Sequence, residues 1–248
     1  MRDYDVYIFD LYGTLVDIHT DESNDHFWLK VRDLFEGYGA VYKREELKDA
    51  YFFKIRQAEK KKAKKGHLIE IDLFEVFRSL FSDKDVYLTD EKIREAMIMF
   101  RKYSTSHIRL YAGAKEILDD LHRHDKKVFL LSNAQEVFTI NELKELGIYA
   151  CFDDIFISSV CGYKKPDRLF YEALLKKCGL DPKRCLMIGN DPICDVRGAK
   201  VLGIDTYYIQ SSLSPKIPDE DPTYCQKGMD LKTIRIKISK GFDLNCRS

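Results

Sequence analysis

The stretch Val6-Tyr7-Ile8-Phe9-Asp10-Leu11-Tyr12-Gly13-Thr14-Leu15 decides how this chain is read. Four apolar residues run into an aspartate and then into a Gly-Thr reversal. An apolar run of that length, unbroken by polar residues, is the pattern of a strand covered on both faces. It predicts a strand whose carboxyl end presents Asp10, at the edge where open α/β sheets bind their ligands.

Outward from this strand, similar short apolar runs recur at Val128-Phe129-Leu130-Leu131, Ile155-Phe156-Ile157, Cys185-Leu186-Met187-Ile188 and Thr206-Tyr207-Tyr208-Ile209. Helical spacing lies between them, as in Ala114, Ile117, Leu118, Leu121 and again in Phe170, Ala173, Leu174 with the stem of Lys177. Asp181-Pro182 reads as an N-cap followed by proline at the first helical position. Strands alternating with helices mean βαβ units. The expected fold class is therefore α/β, a Rossmann-like parallel sheet flanked by helices.

The segment between the first two strands reads differently. Helical spacing is clear in Ile93, Ala96, Met97, Phe100, Tyr103, and recurs in Leu47, Ala50, Tyr51, Lys54, Ile55, Ala58 and in Leu73, Phe74, Phe77, Leu80, Phe81. The expected organisation is an α/β core of residues 1–16 and 107–248, with a small all-helical cap of residues 17–106 over the carboxyl ends of the strands. Near the end, Ser211 to Pro222 reads as loop, and Ile234-Arg235-Ile236-Lys237-Ile238 as one more strand.

Composition narrows the function classes. The 248 residues suffice for a core plus a smaller module, and 41 basic residues balance 41 acidic ones. Such a balance gives no expectation of nucleic acid or of a membrane surface. No apolar run approaches the roughly 20 residues that span a bilayer, and Met1-Arg2-Asp3-Tyr4-Asp5 enters the first strand without a signal-peptide pattern. The seven cysteines (Cys151, Cys161, Cys178, Cys185, Cys194, Cys225, Cys246) are odd in number and show no C-x-x-C spacing. They read as reduced structural thiols of a cytoplasmic protein. The six histidines form no ligand-spaced set. The Lys60 to Lys65 run reads as a solvated helix end.

Four segments end strands of the expected sheet with polar groups: Asp10 with Gly13 and Thr14; Leu131-Ser132-Asn133; Gly162-Tyr163-Lys164-Lys165-Pro166-Asp167; and Ile188-Gly189-Asn190-Asp191-Pro192-Ile193-Cys194-Asp195. In this order and spacing they resemble the four motifs of the haloacid dehalogenase-like (HAD) hydrolase superfamily, over roughly Tyr4 to Gln210. Tyr111-Ala112-Gly113-Ala114 and Val196-Arg197-Gly198-Ala199 resemble further landmarks of that family, and the helical insert lies where its cap does.

The resemblance implies roles. Asp10 is the nucleophile, whose attack on phosphorus or carbon splits one hard step into two easier ones. Lys165, which like the family's lysine directly precedes a proline, supplies positive charge beside it; Lys164 is its competitor. Gly13 and Tyr12 contribute backbone groups, Thr14 and Ser132 hydroxyls, and Asn133 an amide that holds substrate or the Asp10 loop. Mg²⁺ is the implied cofactor, with Asp10, the Tyr12 carbonyl, Asn190, Asp191 and Asp195 as candidate ligands, Asp191 the expected direct one. Asparagine at 190, where the family often has an acid, offers one neutral oxygen.

The sequence departs from the family's phosphatases at Tyr12. They carry a second aspartate there, which protonates the leaving oxygen; a phenol with pKa near 10 is a poor substitute. Tyrosine at this place, and Tyr171 six residues after Lys165, resemble the 2-haloacid dehalogenases instead. Those enzymes carry an early Trp-Arg segment that the stretch from Tyr42 to Arg56 lacks. Three readings stay open: a Mg²⁺-dependent phosphatase of small phosphate esters, favoured by Asp191 and Asp195; a metal-independent haloacid dehalogenase; and a nearly inactive member that binds a ligand or partner. The expected partner is a small phosphorylated metabolite, with the protein a monomer or homodimer.

Overall fold

A computed structural model describes residues 1–216 and 220–245, with backbone only for 241–245. Its centre is a six-stranded parallel sheet. The chain begins with β1 (Val6–Phe9) and β2 (Val16–Thr20), then passes through four helices, α1 (Asp25–Gly37), α2 (Arg44–Lys62), α3 (Leu73–Ser82) and α4 (Asp90–Ser104). It returns through β3 (Thr105–Leu110) to α5 (Ala114–Arg123), β4 (Lys127–Ser132), α6 (Glu136–Glu145), β5 (Asp154–Ile157), the short α7 (Ser158–Cys161) and α8 (Arg168–Cys178). The remainder is β6 (Cys185–Gly189), α9 (Gly198–Lys200), β7 (Asp205–Ile209), β8 (Tyr224–Gln226) and α10 (Leu231–Asn245).

Strand order is β5-β4-β1-β6-β7-β8. The connections run outward from β1 in both directions, and the crevice that reversal opens lies at the end of β1. All four residues of β1 are buried. Tyr7 and Phe9, Val128 and Leu130, Leu186 and Ile188 face one layer, against Ile117 and Leu121 of α5 and Ile234 of α10. Val6 and Ile8, Phe129 and Leu131, Cys185 and Met187 face the other, against Phe170 and Leu174 of α8. A sheet covered on both faces therefore demands the unbroken apolar strands seen in the sequence.

Helices α1 to α4 bury a separate aromatic core that includes Phe27, Trp28, Phe35, Tyr51, Phe77, Phe81 and Phe100. Phe35 stacks on Phe81 at 4.3 Å between centroids. Local signals start these helices: the side chains of Asn24, Asp72 and Thr89 cap α1, α3 and α4 through the amides of His26, Phe74 and Lys92. Two strands tie this bundle to the core. β2 and β3 pair antiparallel, Ile18 opposite Ile108. The loop between α2 and α3 adds a bridge, Ile69 to Tyr163, beside the Lys164-Lys165 turn.

Three expectations need correction. Ile234 to Ile238 is helix, within α10, not strand. Asp181-Pro182 opens only a single 3₁₀ turn, Pro182–Arg184. Strand pairing also occurs where only helix was expected, at Asp17–Thr20 and Thr105–Ser106. The loop read at Ser211 to Pro222 includes residues 217–219, which lie outside the described residues, as does Cys246. The other six cysteines are free thiols. No helix among the described residues is long and apolar enough to cross a membrane.

Candidate active site

Adjacency in the sheet gathers the four polar segments. β4 and β6 flank β1, so Ser132 and Asn133, and Gly189 to Asp191, end beside Asp10. The loop before α8 brings Lys165. Asp10, Tyr12, Ser132, Asn133, Lys165 and Asp191 are among the residues lining a cavity of about 170 Å³.

Lys165 lies at the centre and is 3% exposed. Its Nζ donates to Asp10 Oδ1 at 2.8 Å and to Asp195 Oδ1 at 2.7 Å. Burial disfavours the ammonium, but the charges of Asp10 and Asp195 outweigh that, so its pKa is held above the ordinary lysine value. Burial pushes the Asp195 carboxyl upward against the pull of Lys165. Lys164 has no such contact; its amide donates to the Leu68 carbonyl at 3.0 Å.

The neighbours hold this triad in place. The Thr14 hydroxyl donates to Asp10 Oδ2 at 3.1 Å. Asn133 grips the Lys165 backbone at both ends, accepting from its amide at 2.7 Å and donating to its carbonyl at 3.0 Å. Asp191 Oδ1 accepts from the amides of Ile193 and Cys194, both at 2.8 Å. Its amide donates to Asp195 Oδ2 at 2.9 Å. The Tyr171 hydroxyl donates to the Cys194 carbonyl at 2.6 Å. Thr14, read from the sequence as a phosphate contact, Asn133, read as holding substrate or the Asp10 loop, and Asp191 and Asp195, read as candidate metal ligands, all hydrogen-bond within the site.

Ser132 is the exception. It is 1% exposed, lines the cavity, and its Oγ has no hydrogen-bond partner among the described residues. A buried hydroxyl without a partner costs free energy.

Asn190 closes the same corner of the site. Its side-chain amide lies 3.3 Å from Asp10 Oδ2 and 3.2 Å from the Tyr12 carbonyl oxygen. Two acceptors that close are satisfied in one of two ways: the amide nitrogen donates to both, or the amide oxygen joins them around a cation. Gly13 permits the approach. Its φ is +86°, and a Cβ there would meet Asn190 Nδ2 at 2.3 Å. No group of three His, Cys, Asp or Glu side chains suited to a metal occurs among the described residues. A carboxylate, an amide oxygen and a backbone carbonyl are still the hard donors that Mg²⁺ accepts while keeping several waters. These residues fit that ion, with one carboxylate rather than several.

Tyr12 points elsewhere. Its hydroxyl donates to Glu142 Oε2 of α6 at 2.5 Å and lies 3.1 Å from Thr139 Oγ1. Arg101 of α4 donates Nε to Glu142 Oε1 at 2.6 Å, with its guanidinium 5.6 Å over the Tyr12 ring. Burial, and then Glu142, raise the phenol's pKa above its ordinary value. The hydroxyl is directed at Glu142. Glu142, Thr139 and Arg101 were not singled out in the sequence. Arg101 lies on α4 and Thr139 and Glu142 on α6, some forty positions further along the chain, and no local pattern marks them.

Residues 4–203 match the model of the haloacid dehalogenase-like hydrolases. The chain belongs to that family. Among its similar relatives, the HAD-hydrolase YfnB of Bacillus subtilis is 22% identical over 225 residues, covering 90% of this chain and 92% of YfnB. The magnesium-bound crystal structure of YfnB superposes with a TM-score of 0.57 over 96% of this chain and 99% of its own, at 20% identity. The pyrimidine 5'-nucleotidase PynA of Streptococcus pneumoniae is 26% identical over 227 residues, 89% of this chain and 90% of PynA. A dehalogenase crystallised as an intermediate complex has a TM-score of 0.58 at 16% identity, over 96% of this chain and 98% of its own. Similarity at that level speaks to the fold of this HAD-like hydrolase and not to its substrate.

Proposed function

We propose that this HAD-like hydrolase is a Mg²⁺-dependent phosphatase of small phosphate esters, working through a phosphoryl group carried on Asp10. The observation that carries the reading is the unpartnered Ser132 hydroxyl, buried in the cavity that Asp10 and Lys165 share. A phosphoryl oxygen is an acceptor that would satisfy it. The PynA relative, a nucleotidase by name, supports the same reading.

In this mechanism a carboxylate oxygen of Asp10 attacks phosphorus, the P–O bond to the ester oxygen breaks, and that oxygen departs as an alkoxide or aryloxide that takes its proton from water, leaving an acyl phosphate on Asp10. Water then cleaves it. Mg²⁺, when bound by Asp10, the Tyr12 carbonyl and Asn190, supplies charge neutralisation between nucleophile and phosphate. Lys165 holds Asp10 in line and offsets charge building on the phosphoryl oxygens. Ser132 donates to one of those oxygens. Asn133 and Asp195 are positioning residues, keeping Lys165 where it acts. Residues 17–106 form the cap that closes over the site.

No side chain of the Asp10 loop protonates the departing oxygen, since the Tyr12 hydroxyl is directed at Glu142. Rates should therefore follow leaving-group acidity. Phosphate release from an aryl and an alkyl phosphate, each with Mg²⁺ and with EDTA, tests this. The expected result is Mg²⁺-dependent release, faster for the aryl ester. Equal aryl and alkyl rates would contradict the missing acid. Chloride release from 2-chloropropionate in EDTA would establish the dehalogenase reading instead.

A further inference from the structure

A second cavity of about 360 Å³ lies between cap and core and shares Tyr12 and Asn133 with the first. Its size is that of a pocket for a small metabolite. A phosphate held at Asp10 would direct its alcohol portion this way. Most polar side chains on the wall are already occupied. Gln135 spans the cap backbone, donating to the Ile71 carbonyl and accepting from the Leu73 amide, both at 2.9 Å. Thr139 lies against the Tyr12 hydroxyl at 3.1 Å.

Glu22, in the turn between β2 and α1, is the charged exception. Its carboxylate makes no hydrogen bond or ion pair among the described residues, while its carbonyl is anchored by the buried Trp28 indole at 2.7 Å. Arg101 is the cation on the same wall, and its Nε is bound to Glu142. Arg101 is thus held by Glu142, which lies outside this cavity, and Glu22 is the one carboxylate on the wall itself.

We infer that Glu22 selects the substrate: a phosphate monoester whose alcohol portion carries hydroxyl or amino donors and no second anionic group. This rests on the phosphatase reading and adds the substrate class to it. An amine or hydroxyl would donate to Glu22, and the Arg101 guanidinium would donate to a hydroxyl oxygen. A carboxylate there would oppose Glu22.

The test is kcat/KM of the full chain with Mg²⁺ on 2-aminoethyl phosphate, glycerol 1-phosphate and phosphoglycolate, with p-nitrophenyl phosphate as reference. The wild type should favour the first two over phosphoglycolate by about tenfold or more. Glu22→Gln should collapse that ratio, and Glu22→Asp should keep part of it. A wild type that prefers phosphoglycolate overturns the inference, whether or not the variants fold. So does a ratio that Glu22→Gln leaves unchanged. If p-nitrophenyl phosphate is not hydrolysed, the phosphatase reading itself fails, and the inference with it.

Discussion

At the scale of single residues, what matters is which polar atoms are spent and which are free. Lys165 is spent on Asp10 and Asp195, and the Tyr12 hydroxyl on Glu142. Tyr12→Phe should therefore leave turnover of an aryl phosphate within about threefold of wild type, while costing about 1.5–3 kcal/mol of stability for the lost bond to a charged acceptor. Urea titration alongside kinetics separates the two; a large loss of rate would make the phenol a catalytic acid after all. Ser132 is the reverse case. Ser132→Ala should lower kcat/KM by about tenfold to a hundredfold through the lost phosphoryl contact. Its melting temperature should hold or rise, because an unpartnered buried hydroxyl is removed. The motif residues after β1, β4 and β6 were legible in the sequence because apolar strands end on them, whereas Lys165 follows the short α7 and was marked only by its resemblance to the family's Lys-Pro pair. Their division of labour was not legible. That Asn190 approaches Asp10 while Asp191 caps the following turn depends on backbone direction, which two adjacent polar residues do not disclose.

At the scale of elements, alternation misled at one place and was too faint at others. Ile234, Ile236 and Ile238 alternate with basic residues as a half-buried strand would. In α10, Ile234 and Ile238 are buried while Ile236 is 55% exposed, as a helix requires of residues four and two apart. Ile234→Ala should cost about 2–5 kcal/mol and Ile236→Ala less than about 0.5 kcal/mol. Equal costs in a denaturation series would return the segment to strand. β2 and β3 were missed because polar residues interrupt both, Asp17, His19 and Thr20 in one and Thr105, Ser106, His107 and Arg109 in the other, and few apolar residues remain to alternate. The central strands were read at nearly their full length, since two-sided burial leaves no polar gap. At the β1 turn, Gly13→Ala faces both a positive φ and a collision with Asn190. It should cost about 1–3 kcal/mol from the backbone alone and should weaken the thermal stabilisation that Mg²⁺ gives.

At the scale of the whole molecule, the cap meets the core along α4 and α6. Arg94–Glu136, Arg101–Glu142 and Lys102–Glu145 line that seam. Only the middle pair is shielded, with side chains 17% and 7% exposed. Arg101→Ala should therefore cost about 3–5 kcal/mol, since it leaves Glu142 buried and unpaired. Arg94→Ala should cost less than about 1 kcal/mol. A helical insert after the first strand was readable from periodicity. Which faces of it meet the core was not, because that contact joins residues some forty positions apart. The seam also encloses Tyr12, so one ion pair fastens the cap and keeps the phenol away from the chemistry.

The central claim is that Asp10 carries the phosphoryl group. The direct measurement is acid quenching during turnover of an aryl phosphate with Mg²⁺, followed by peptide mass spectrometry. The account predicts a phosphoryl adduct on the peptide at Asp10, absent from Asp10→Asn, which should also lose activity by on the order of a thousandfold or more. Phosphate release with no adduct at Asp10, or undiminished release by Asp10→Asn, would contradict it.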